Sequence, residues 1–170
     1  MELFSPRLRY QSFTPEHLND YYSLESNPEV MKYYRRKISA TVEESLPFFN
    51  KYLNYMARYP DFGGFSCFNL ETGEFVGIAV IMHIELKDEN KEIELGYRLD
   101  PKFWNQGYAT EMAQRMLDYG FNERGLTELY GTINPENIVS GHILKKIGMI
   151  EIGTSTHHGG STLFKICKNS

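Results

Sequence analysis

Apolar and polar positions along the chain change period several times, and each change marks an element. Arg7–Phe13 (RLRYQSF) alternates with the two-residue period of a half-buried strand. It runs into Thr14-Pro15-Glu16, where Thr14 can cap a helix, Pro15 suits its first position and Glu16 complements its dipole. That helix is expected to reach about Ser26, and Asn27-Pro28-Glu29 repeats the start signal for a shorter second one. Thr41-Val42-Glu43-Glu44 reads as a capping box, with Glu44 three residues after the cap. The helix it opens carries Leu46, Phe49, Leu53 and Met56 at near-helical spacing and ends before Pro60.

The period then returns to two. FGGFSCFNL and EFVGIAVIMHIEL read as strands joined by a tight turn at Glu71-Thr72-Gly73. The polar run Lys87 to Lys91 is a second turn, and EIELGYRL is a further strand. Ala109, Met112, Ala113, Met116 and Leu117 form one apolar stripe over two helical turns. ELYGTI is a strand, NIVSGHILKKI a short helix, and two last strands flank His157-His158-Gly159-Gly160. Helices therefore interrupt a largely antiparallel sheet of about seven strands, an α+β or mixed α/β domain.

A chain of 170 residues most economically makes one domain with one core, here residues 1–170. The hydrophobic fraction of 41% is that of a soluble globule, and no apolar run approaches membrane-spanning length. The opening MELFSPRLRY does not read as a secretory signal, and Cys67 and Cys167, far apart in predicted strands, are expected to be small core residues in a reducing cytosol. A net charge of -4 argues against nonspecific binding to nucleic acid and tolerates a cationic substrate. Tyr33 to Lys37 (YYRRK) is too short to be a nucleic-acid face and suits a loop touching substrate or cofactor. His157 and His158 beside two glycines suit an exposed hairpin turn better than a metal site, so no metal is expected.

Phe103–Glu111 (FWNQGYATE) is the stretch with candidate chemistry. A strand ending at Leu99, a short connector and a helix starting near Gly107 leave several backbone N–H groups unsatisfied, where the helix dipole favours an anion. Gly107 allows close approach, nothing acidic occupies positions 102 to 110, and Lys102 adds a positive charge. Glu111 lies one turn further in. A single glycine before a helix is also plain punctuation, and neither G-x-x-x-x-G-K-[ST] nor G-x-G-x-x-G is present.

Taken together, residues 92 to 149 resemble the GCN5-related N-acetyltransferase superfamily, and in particular its ribosomal-protein-alanine (Rim-type) branch. The N-terminal SPRLRYQSFTPEHLNDYYSLESNPEVMKYY is more loosely similar to that branch's opening strand and helices. The resemblance implies a single-domain acyl-CoA N-acyltransferase fold, its sheet splayed between the fourth and fifth strands to admit acetyl-CoA. It implies a pyrophosphate loop of the form [RQ]-x-x-G-x-[GA], carried here by Trp104, Asn105, Gln106, Gly107, Tyr108 and Ala109, with Thr110 adjacent. Trp104 departs from Arg or Gln, and Asn105 stands where the branch commonly has glycine. The strand Ile93 to Leu99, hence Leu95, Tyr97, Arg98 and Leu99, is expected to hold the pantetheine arm through its main chain. Asn137 matches a cofactor-contacting asparagine and is equally a good N-cap.

The implied reaction is attack by an amine on a thioester. An α-amine with pKa near 8 is about one-tenth neutral at pH 7, and a lysine amine only about once in 2,500. A general base is useful in the first case and close to essential in the second. By resemblance Glu94 is the candidate base, although Glu92 and Glu94 also suit a solvated strand face. Ser140, by the same resemblance, would meet the departing thiolate; it is also an ordinary first-turn helix residue. A main-chain N–H near Tyr97 would meet the developing oxyanion. Tyr21, Tyr22, Tyr33, Tyr34, Phe48, Phe49, Tyr52 and Tyr55 are expected to be mostly core, with some lining the acceptor site. The expected partners are acetyl-CoA and an amine, either a protein N-terminus or a small molecule. Neither nucleic acid nor membrane is expected, and the sequence leaves monomer and homodimer open. An acyl-CoA sensor of the same fold is the alternative outside enzymes.

Overall fold

The computed structural model describes residues 1–84, 92–155 and 160–168. The elements run β1 (Glu2–Phe4), β2 (Leu8–Ser12), α1 (Leu18–Glu25), α2 (Pro28–Met31), α3 (Val42–Arg58), β3 (Gly63–Asn69), β4 (Phe75–His83) and β5 (Ile93–Leu99). After them come α4 (Tyr108–Asp118), β6 (Glu128–Ile133), α5 (Ile138–Lys146), β7 (Ile150–Thr154) and β8 (Thr162–Cys167). The eight strands form one sheet in the order β1-β2-β3-β4-β5-β6-β8-β7. Every neighbouring pair is antiparallel except β5 and β6. The mixed α/β, largely antiparallel class expected from the sequence is the one found.

The eighth strand is β1, which pairs Glu2 with Gln11 and Phe4 with Arg9. Three residues cut off by Pro6 are too few to display an alternation, so the chain pattern carries no sign of it. The first helix also divides. His17 Nδ1 accepts the Thr14 N–H at 3.0 Å, closing a 3-10 turn over Pro15–His17 before α1 begins. Asn27 caps α2 by accepting the Glu29 N–H at 2.9 Å, as its sequence predicts. Thr41 caps α3 through the Glu44 N–H at 3.3 Å, while the Glu44 carboxylate takes the Ala40 N–H at 2.9 Å, one residue earlier than a regular capping box.

Two cores lie on the two faces of the sheet. On one face, Ile93, Leu95 and Leu99 of β5 pack with Ala79 and Ile81 of β4 against Met112, Ala113 and Met116 of α4 and Leu144 of α5. The predicted stripe of α4 is this contact, and burying each of its methionines contributes on the order of 1.5–3 kcal/mol. On the other face, Phe13, Tyr21, Leu24, Phe49 and Ile78 join α1 and α3 to the sheet. Phe13 stacks within 5.1 Å of Phe49 and edge-on to Tyr52 at 5.6 Å.

Two sequence expectations fail here. Leu46 is exposed, because the buried face of α3 runs through Ser45, Phe49 and Tyr55 and leaves it outside, and Cys167 is exposed at the end of β8, although Cys67 is buried as expected. The predicted turn from Lys87 to Lys91 and the His157-His158 turn lie outside the described residues. Among the described residues, no helix is long and apolar enough to cross a membrane.

Candidate active site

The site begins with unequal pairing on the two edges of β5. Along β4 the pairing is complete, from Ile93 opposite His83 to Leu99 opposite Gly77. Along β6 it consists of one parallel position, Glu94 opposite Tyr130. β6 is instead held by β8 through six antiparallel pairs, Glu128 with Cys167 to Ile133 with Thr162. Beyond Glu94 the strands therefore part, and residues 95–99 line a cleft of about 1130 Å³. Strand groups left without a neighbour are donors and acceptors for an extended ligand.

At the C-terminal end of β5 the cleft meets the turn into α4. Asn105 has φ 58 and Gly107 has φ 82. Both are left-handed, a conformation open to glycine and tolerated by asparagine. This accounts for Asn105 at a position where the resembled branch has glycine. No side chain caps α4, so the N–H groups of Tyr108, Ala109 and Thr110 have no intrahelical partner, and all three residues line the cleft. A pyrophosphate fits this donor set, because the segment carries no acid and the helix dipole adds to the attraction.

Side chains around the turn fix its shape, and Trp104 and Asn105 also line the cleft. Trp104 donates its indole N–H to the Leu99 carbonyl at 3.1 Å, tying the end of β5 to the loop. Gln106 donates to the Lys102 carbonyl at 2.7 Å and does not line the cleft. Lys102 is spent on Glu74, at 2.7 Å, rather than on the cleft. Glu111 points back to Arg7, whose guanidinium also donates to the Gln106 carbonyl at 2.9 Å and lies 4.0 Å over the Tyr108 ring. Arg7 is ninety-nine residues from that carbonyl, and no local pattern in the sequence announces it.

Strand alternation places Glu94, Gly96 and Arg98 on one face of β5 and Leu95, Tyr97 and Leu99 on the other. Glu94 shares its face with Ile78, Val80 and Met82 of β4 and receives the Thr132 hydroxyl at 2.7 Å. Thr132 belongs to β6, so this bond spans the opening just past the last pairing of the two strands. Tyr33, Tyr34 and Tyr52 close the cleft on this side, while Tyr21, Phe49 and Tyr55 are buried in the core. Asn134 holds the loop after α2 through the Tyr33 carbonyl at 3.2 Å.

Tyr97 projects to the opposite face, where its hydroxyl approaches the Ser140 carbonyl at 3.4 Å. Burial pushes the Tyr97 phenol well above its ordinary range, and the contact with Ser140 offsets this only in part. At neutral pH it is therefore a protonated donor. Ser140 stands in the first turn of α5 with its backbone N–H on the Asn137 side chain at 3.2 Å. Asn137 is thus the N-cap of α5, and both residues line the cleft. Glu94 and the pair Tyr97–Ser140 approach one opening from opposite faces of the sheet.

Arg98 is the candidate cofactor residue whose side chain is engaged elsewhere. Its guanidinium reaches back to Glu25 of α1, which also binds Arg36, and it stacks 4.9 Å over the Tyr34 ring. Arg7, Glu25 and Thr132 are the site residues that sequence reasoning did not single out; Arg98 and the Tyr33–Lys37 segment that contains Arg36 were candidates, but their sharing of Glu25 was not foreseen.

Comparison with known proteins gives consistent results. The acetyltransferase (GNAT) domain model matches residues 7–150. The FsC-acetyl coenzyme A-N(2)-transacetylase of Aspergillus fumigatus is 32% identical over 157 residues, 89% of this chain and 66% of that one. The chain thus spans just under two thirds of that relative's length. The spermidine N(1)-acetyltransferase of Escherichia coli K12 is 25% identical over 143 residues, covering 84% of this chain and 72% of its own. Among solved structures, a GNAT-family acetyltransferase from Bacillus anthracis superposes with a TM-score of 0.79 at 28% identity, over 98% of each chain.

Proposed function

Because this chain belongs to the acetyltransferase (GNAT) domain family, we propose that it transfers the acetyl group of acetyl-CoA to a primary amine by direct attack in a ternary complex. The observation that carries this reading is the opening between β5 and β6, with a carboxylate on one face and hydroxyl donors on the other. Acetyl-CoA supplies a thioester carbonyl and a thiol leaving group.

The chain's own residues then divide the work. The free edge of β5 from Leu95 to Leu99 holds the pantetheine arm by strand addition, and the α4 N-terminus from Gly107 to Thr110 holds the pyrophosphate. Glu94, oriented by Thr132, takes the proton of the ammonium so that a neutral amine can attack. A β5 main-chain N–H near Tyr97 stabilises the negative charge that develops on the carbonyl oxygen. Ser140, with Tyr97 beside it, donates to the departing sulfur. The leaving group needs only modest help, since a thiol pKa near 8.5 already makes the thiolate a fair one.

The acceptor we favour is a small amine. One relative above is named for a small amine, although for a polyamine, and a protein N-terminus is the acceptor that the Rim-type resemblance implies. The deciding measurement is transfer of labelled acetyl to parallel panels of small amines and N-terminal peptides. Label in the peptides alone would move the assignment to the Rim-type branch. Acetyl-CoA binding with label in neither panel would leave an acyl-CoA sensor of the same fold.

A further inference from the structure

The acceptor side of the cleft carries the wrong charge for a polyamine. Lys32, Arg35, Arg36 and Arg98 line it against Glu29 and Glu94. At its back, one fully buried carboxylate, Glu25, is shared by two guanidinium groups, those of Arg36 and Arg98. Arginine stays protonated in a protein, so the group holds a net positive charge. Arg98 is buried on Glu25, whereas Arg36 is a quarter exposed and carries the excess charge at the cleft, where an incoming anion can meet it.

The arginine that carries the excess is also incompletely bonded. Arg36 Nη2 is taken by Glu25 and by the Tyr21 hydroxyl at 3.1 Å, and the guanidinium lies 4.2 Å over the Phe48 ring. Its Nη1 is buried and has no hydrogen-bond partner among the described residues. A buried donor without an acceptor is unfavourable, and a turn of this quarter-exposed side chain toward the cleft would bring it to an acceptor oxygen there. Arg36 lines the cleft, so a ligand can reach it.

From these observations we infer that the acceptor is an amine that also bears a carboxylate, with the amine at Glu94 and the carboxylate at Arg36 and Arg98. Glu94 and Arg98 lie on one face of β5, four positions apart, about 13 Å along a strand. Gly96 between them leaves that wall bare, and a side chain there would come within 3.0 Å of Val80. The two ends of the acceptor are therefore separated by several bonds, as in a diamino acid that reacts at its side-chain amine. The inference rests on the acetyl transfer proposed above and specifies its substrate.

The test uses amine pairs that differ by the carboxylate alone: lysine against cadaverine, and ornithine against putrescine, with spermidine added. Release of the CoA thiol from the full chain is followed. The amino acids should exceed the diamines in kcat/KM by about tenfold or more, the size of one charge-assisted hydrogen bond. Arg36→Gln should remove that preference by raising KM for the amino acids, and Arg36→Lys should restore part of it. Thermal stabilisation by acetyl-CoA, measured on each variant, reports whether fold and cofactor site persist. Equal turnover of both members of each pair overturns the carboxylate site and leaves acetyl transfer standing. So does a preference that survives Arg36→Gln. Acetyl-CoA binding without turnover of any amine overturns the transfer reading, and this one with it.

Discussion

Arg7 and Glu111 join the N-terminal segment to the cofactor loop: Arg7 Nε meets Glu111 Oε2 at 2.7 Å, and the Arg7 backbone N–H meets Oε1 at 2.8 Å. Because the same guanidinium holds the Gln106 carbonyl, the pair fixes the turn that presents the α4 amides. Arg7 is nearly half exposed, so the ion pair alone contributes little to stability. Arg7→Ala is expected to cost about 1 kcal/mol in unfolding free energy, mostly through the carbonyl bond. It should also weaken acetyl-CoA binding by about fivefold, read by calorimetry. Unchanged affinity would show that the loop holds its shape without Arg7.

The same pair makes stability sensitive to acid. Burial alone would raise the Glu111 carboxyl, but its bonds from Ser5 and Arg7 more than offset this and hold it below its ordinary value of 4.5. A carboxylate depressed in the folded state contributes stability that is present above that ordinary value and is lost as pH falls through the folded one. Melting temperature should therefore decline below about pH 4.5 more steeply in the parent chain than in Glu111→Gln. Parallel curves for the two proteins would contradict the assignment.

Gly107 and Gln106 are neighbours with opposite expectations. Gly107 sits at φ 82, and a Cβ there would also lie 3.4 Å from Arg7 Nη2. A β-branched residue is strained in that conformation by at least about 1–2 kcal/mol, so Gly107→Val should rearrange the turn. Gln106 offers only its carbonyl to the site, and Gln106→Ala should leave the amides in place. Saturating acetyl-CoA, at a hundredfold over its Kd, should stabilise the parent chain and Gln106→Ala by about 2.7 kcal/mol. Gly107→Val should gain much less at the same concentration, and equal gains would remove the cradle.

What was legible in the sequence was whatever local periodicity and local chemistry can write. The stripe of α4, the strand alternation around Glu94 and the caps Asn27, Thr41 and Asn137 are each set by residues a few positions apart. The departures from the family loop became intelligible only through the backbone. Asn105 is a left-handed residue, and Trp104 is an indole donor to Leu99. The pairings of Arg7 with Glu111 and of Glu25 with Arg36 and Arg98 were not legible, because the fold brings these partners together from separate segments. Strand β1 was hidden because three residues cannot show a period.

Tyr97 and Ser140 allow the leaving-group side to be tested apart from the rest. Removal of the Tyr97 hydroxyl leaves a ring that still packs beside the α4 core. Tyr97→Phe and Ser140→Ala should each lower kcat by about tenfold or less, because CoA thiolate departs readily without a strong acid. The double variant should lose more than either single one. If both hydroxyls are dispensable alone and together, sulfur leaves unaided and the two residues only shape the cleft.

Glu94 faces the harder part of the chemistry. A side-chain amine of ordinary pKa is neutral only about once in 2,500 molecules at pH 7, so a base that takes its proton within the complex should matter greatly. Glu94→Gln is isosteric and can keep the Thr132 contact, yet it cannot accept a proton at neutral pH. Its kcat should fall by about a hundredfold to ten-thousandfold at pH 7, with acetyl-CoA affinity unchanged. The deficit should narrow as pH rises toward the amine's own pKa, where solvent supplies the neutral nucleophile. Thr132→Val, which removes the orienting hydroxyl and leaves the carboxylate, should lose only about tenfold. A deficit of the same size at every pH would mean that Glu94 positions the acceptor and takes no proton from it.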